Sequence, residues 1–146
     1  MDPQQRRVYK WEGSFRSFYE RTTTRDSCRK LIAKATKRYN VPPPGVYFKT
    51  KEETRGNITS EYDPITHRIT IGFCDCNHAI ALHEAAHAIT DWLYGEDLHA
   101  HGDRWLGIYL DLLEWAKVAP RSALHASARE RRLRWKPVRR TLHKGR

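Results

Sequence analysis

His83-Glu84-Ala85-Ala86-His87 lies within a stretch, Asn77 to Tyr94, that holds neither proline nor glycine and is dense in Ala, Ile and Leu. That composition favours an α-helix. Asn77 or Asp75 can cap its start, and Gly95 supplies its stop. On a helix, residues four apart lie one above the other on the same face. The two imidazoles can therefore share one zinc ion, with Glu84 a step round the helix and able to serve a reacting water as general base. Just upstream, His67 to Phe73 alternates polar and apolar residues in a β-branched run, the pattern of a strand leading into that helix.

Two histidines leave zinc short of the three protein ligands usual in a catalytic site. The longer HExxHxxGxxH pattern fails, because Thr90 and Leu93 stand where its Gly and third His would be. His101 is the favoured third ligand. It follows the Gly95 stop by a short loop and precedes a second apolar helix, with Trp105, Ile108, Tyr109, Leu112, Trp115 and Ala116 at 3–4 spacing. His99 is its rival, and Glu96, Asp97 and Asp103 are possible carboxylate ligands. Tyr109 is a candidate for holding an oxyanion, although a tyrosine on an apolar stripe more commonly belongs to a core. Asp91, four residues beyond His87, is a candidate to orient that ligand, or else a solvated carboxylate.

HEAAH at 83–87 followed by HGDRW at 101–105 resembles the SprT-like zincins, over roughly residues 62–118. It is similar also to small, largely uncharacterised metallohydrolases of actinobacteria and their phages. The resemblance implies zinc as cofactor, His83, His87 and His101 as its ligands, Glu84 as the catalytic acid/base, and a protein or peptide substrate. Many SprT-like proteins also carry a four-cysteine zinc ribbon. This chain has three cysteines, Cys28, Cys74 and Cys76, so the DNA-linked substrates of some members do not carry over.

Charge is uneven along the 146 residues. Residues 1–40 carry a net +7, residues 41–128 a net −5 and residues 129–146 a net +8, from the 27 basic and 17 acidic side chains. The acidic middle suits a cation site, and the basic ends suit nucleic acid or an acidic partner. Around Trp135 the final segment has basic residues from Arg129 to Arg146, including Arg139, Arg140 and Lys144. Two readings stand open: phosphate contacts with base stacking on an exposed Trp135, or a solubilising tail with Leu133 and Trp135 packed back.

The remaining elements read as scaffold. Residues 8–19 are rich in aromatics and ambiguous between helix and strand. Arg25 to Tyr39 reads as a helix with Cys28, Leu31, Ile32, Ala35 and Tyr39 on one stripe and Arg29, Lys30, Lys34, Lys37 and Arg38 on a basic face. Pro42-Pro43-Pro44-Gly45 breaks it, and Val46-Tyr47-Phe48 reads as a short strand. Lys51 to Asn57 reads as a polar connection. Ile58 to Ile71 reads as a hairpin turning at Asp63-Pro64-Ile65-Thr66. Pro120 and Ser122 start a short helix through about Arg132.

Cys74-Asp75-Cys76, with His78 near, lacks the second ligand pair of a metal knuckle and reads as idle thiols. Asn57-Ile58-Thr59 matches a glycosylation sequon, but no apolar leader precedes it, so no glycan is expected. No segment is apolar enough to cross a membrane. The expectation is an intracellular, cytoplasmic protein, its oligomeric state open, with nucleoid association allowed by the basic ends. The fold expected is α+β: one zincin-like domain over 1–128 and a basic tail over 129–146. It has a small antiparallel or mixed sheet beside an HExxH helix, a second helix with the third ligand, and an N-terminal helix.

Overall fold

The computed structural model describes residues 3–19, 22–55, 60–73, 75–95 and 100–138, with backbone only for 15–19. Helix α1 (Gln5–Tyr19) is followed by α2 (Arg25–Arg38), strand β1 (Gly45–Phe48), a single helical turn α3 (Lys51–Thr54) and strands β2 (Glu61–Asp63) and β3 (Arg68–Ile71). Three further helices follow among the described residues: α4 (His78–Tyr94), α5 (Asp103–Trp115) and α6 (Arg121–Glu130). The architecture is the α+β one expected, with a three-stranded sheet in the order β1-β3-β2. The sheet is mixed, since β1 runs parallel to β3 and β2 antiparallel to it.

Helix α4 occupies the middle of the domain. Its apolar residues run almost all round, as in a helix buried on every side, and α2 and α5 pack against it while β2 and β3 cover a further side. The Asn77 side chain caps its start by accepting from the Ile80 N–H at 2.8 Å. Gly95 ends it at a positive φ of 86°, a conformation that disfavours other residues. From β3, Ile69 and Ile71 enter the core, and the intervening Thr70 does not, as the two-residue period of a strand requires.

The ambiguous N-terminal segment is helical, with Val8 and Trp11 fully buried a turn apart. The segment read as a polar connection holds α3 in its first half. Thr50 and Glu53 form a reciprocal capping box there, a signature present in the sequence but not used. The basic face of α2 is partly engaged. Arg38 makes a two-pronged contact with Asp111 of α5 at 3.1 and 3.2 Å, and Arg25 and Arg29 lie over the Phe48 ring.

Beyond α6, residues 133–138 run back across the domain. Leu133 is buried, and Trp135 is half-covered by the Arg129 guanidinium and the His125 ring. Of the two readings offered for this segment, the packed one describes Leu133 and Trp135. Arg139, Arg140, Lys144 and Arg146 lie outside the described residues, as do Cys74 and the Asn57-Ile58-Thr59 sequon. No described helix is long and apolar enough to cross a membrane.

Candidate metal centre

His83 and His87 sit one turn apart on α4, and His101 stands in the turn that leads into α5. Packing of α5 on α4 brings the three rings together. Nε2 of His83 lies 3.2 Å from Nε2 of His87 and 3.3 Å from Nε2 of His101. A tetrahedral ion with metal–nitrogen bonds of about 2.0–2.1 Å has its ligand atoms about 3.3–3.4 Å apart, from the geometry of a tetrahedron. The spacing around His83 is that of a metal-ligand set. Among the described residues, these three histidines are the one group of three side chains able to hold a metal ion.

The tautomer of His83 is set from behind. Its Nδ1 lies 2.8 Å from Oε2 of Glu12, a carboxylate only 4% exposed on α1. Nδ1 therefore carries the proton and donates it, leaving the Nε2 lone pair aimed at the cluster. The Tyr109 hydroxyl donates to the same Glu12 oxygen at 2.7 Å. Trp105 stacks on His87 with ring centroids 5.1 Å apart, and Tyr9 packs edge-on to His101 at 5.2 Å. Burial and the neighbouring imidazoles hold His87 well below the ordinary imidazole range, so it is neutral, as a ligand must be.

Glu84 is 5% exposed, with Oε2 4.0 Å from Nε2 of His83. Its carboxyl makes no hydrogen bond to any described residue, although a buried polar group normally has a partner. Desolvation pushes its pKa up to about 7; the His83 ring opposes the shift, while Glu12, Glu61 and Asp75 add to it. Glu84 and the three histidines line a cleft of about 370 Å³, walled by Tyr9, Glu61, Tyr62, Thr90 and Asp91. Strand β2, an edge of the sheet, contributes Glu61 and Tyr62 to that wall.

Tyr109 takes the core reading that its apolar stripe favoured. Tyr109 is fully buried behind His83, where it braces Glu12, and so belongs to the core and not to the cleft. Asp91 lies on the cleft wall and faces the Tyr62 hydroxyl. The orienting carboxylate found at the cluster belongs instead to Glu12, within the segment whose period was ambiguous. Only a helical reading of that segment would have placed Glu12 one turn from buried Val8 and on its face. Asp103 points toward Lys136, with 3.9 Å between the charged atoms. The rival ligands His99, Glu96 and Asp97 lie outside the described residues.

Comparison with family models, curated proteins and solved structures finds no match. What the geometry supports is a zincin-like arrangement of HExxH plus a downstream His, consistent with a zincin metallopeptidase fold and with no particular family.

Proposed function

We propose that the chain is a zinc-dependent metallopeptidase, SprT-like in its motif, with His83, His87 and His101 as ligands and Glu84 as general base. The observation that carries the reading is the convergence of three imidazole nitrogens within 4.8 Å of one another, two of them 3.2 and 3.3 Å from Nε2 of His83, beside a buried carboxyl with no hydrogen-bond partner among the described residues. The donor set fits zinc, which favours nitrogen ligands and leaves a fourth position open to solvent or substrate. When bound, zinc supplies a Lewis acid that acidifies water and polarises a carbonyl oxygen.

Glu84 does the proton work. A carboxyl with a pKa near neutrality can accept a proton from the attacking water and pass it to the leaving amine. Its burial keeps bulk water from competing for that proton. Glu12 holds His83 in the ligating tautomer throughout. A peptide substrate is favoured by β2, because an edge strand on the cleft wall has backbone groups that can pair with an extended peptide.

Zinc content and hydrolysis of unfolded proteins test this together. The wild-type chain should hold about one zinc and cleave them, and Glu84→Gln should keep the zinc while losing hydrolysis by about 10²-fold or more. Full activity in Glu84→Gln would overturn the assignment. Cleavage of RNA with proteins left intact would keep the hydrolase and replace its substrate.

A further inference from the structure

His83 and His87 are held by the middle of a long helix, but His101 is not. It stands in a turn, two residues before α5, and Gly102, the N-cap of α5, provides no side-chain cap. What fixes its backbone comes from the two ends of the chain. Gln4 is 5% exposed, and its carboxamide nitrogen donates to the His101 carbonyl at 3.0 Å and to the Arg134 carbonyl at 3.0 Å. Its carboxamide oxygen accepts from the Arg134 N–H at 2.7 Å. Both amide hydrogens and the oxygen are thus engaged, which a glutamate could not reproduce and an asparagine is too short to reach.

The C-terminal segment is attached on the other side of the same turn. Lys136 N–H donates to the carbonyl of Asp103, the first residue of α5, at 3.0 Å. The approach is so close that a Cβ on Gly107 would lie 2.0 Å from the Lys136 carbonyl oxygen. Nearby, Arg7 donates to the Arg132 carbonyl at 3.1 Å. The turn bearing His101 is bracketed between Gln4 and residues 134–136.

The geometry points to Gln4 as a positioning residue for the third ligand, acting with the C-terminal segment: seating of residues 133–136 and metal affinity are one coupled equilibrium. This rests on the metal-centre reading above. A side chain that holds a ligand from outside the coordination sphere is worth about ten- to a hundredfold in metal affinity. Gln4→Met removes all three hydrogen bonds at similar volume. Gly107→Ala displaces the segment without altering Gln4 or His101.

The test is made on the full-length chain, with zinc affinity measured by chelator competition and coordination read from the ligand-field bands of the cobalt(II)-loaded protein. Each single variant should bind zinc about ten- to a hundredfold more weakly and show weaker cobalt bands, as water replaces His101. The double variant should be no worse than the poorer single, because both break one linkage. Wild-type affinity and spectrum in Gln4→Met would overturn the proposal. So would a metal-free chain that melts lower while zinc affinity and spectrum stay unchanged, since that assigns Gln4 a purely structural part. Should Gln4→Met fail to fold, Gly107→Ala and Gln4→Glu, which keeps only the acceptor, decide by the same readouts. A wild-type chain that binds no zinc would remove the metal centre itself, and this inference with it.

Discussion

Glu12 and His83 stand 71 positions apart in the chain and meet at 2.8 Å, so the first helix selects which nitrogen of the HExxH histidine faces the cluster. Glu12→Gln should therefore weaken zinc binding by about ten- to a hundredfold, because an amide oxygen is a weaker acceptor than a carboxylate and makes the ring a less basic ligand. Glu12→Ala should be worse, and it leaves the buried Tyr109 hydroxyl without its acceptor on Glu12. Competition with a chelator measures both. Equal affinity in all three proteins would separate Glu12 from the metal.

His101→Ala should reduce zinc binding while leaving α4 intact, since His101 lies outside that helix. Far-ultraviolet circular dichroism should be unchanged as zinc per chain falls. Retention of one tightly held zinc would hand the third position to a residue from the segment 96–99.

The metal-free chain should lose stability as pH falls below about 6.5. His87 has its folded pKa depressed by burial, so below its ordinary value of 6.5 the unfolded chain binds a proton that the folded chain refuses. Stability is present above that value and is lost as pH falls toward the folded pKa. Thermal melts in chelator from pH 8 to 5 should show the decline, and His87→Gln should flatten it. An identical slope in that variant would place the titrating group elsewhere.

Cys28 should resist alkylation in the native chain at pH 8. Burial, more than the neighbouring Cys76, pushes its thiol up to about 12, so almost no thiolate is present. Cys76 is less buried and should react first. Mass-mapped alkylation with and without denaturant gives the order, and rapid native labelling of Cys28 would contradict its burial.

Asn77→Ala should lower stability by about 1 kcal/mol through loss of the α4 cap. Denaturant melts of the metal-free chain would register that loss. An unchanged midpoint would mean that packing on α2 and α5 alone holds the helix end.

The metal centre was legible because its spacing is local. His83 and His87 are bound by helical period, and His101 is marked by the apolar helix that follows it. Glu12 and Gln4 were not legible, since nothing in a sequence says which distant segment will cover a ring nitrogen or a turn carbonyl. Helix α4 could be read from its composition and caps, whereas α1 could not, because its aromatic residues suit strand and helix alike. α3 was missed although Thr50 and Glu53 spell a capping box, a helix of one turn being too short for periodicity to register. Tyr109 takes the core position that its apolar stripe favoured, although the stripe does not tell that Glu12 stands in front of it.

The bridge from Gln4 to Arg134 spans 130 positions. A ribosome delivers the chain in order, so α4 and its two histidines emerge while the partner of Gln4 is still unmade. During that interval the nascent polypeptide carries the motif without the full brace on the turn that holds its third histidine. The turn that carries His101 is thus completed last, after the rest of the domain has been made.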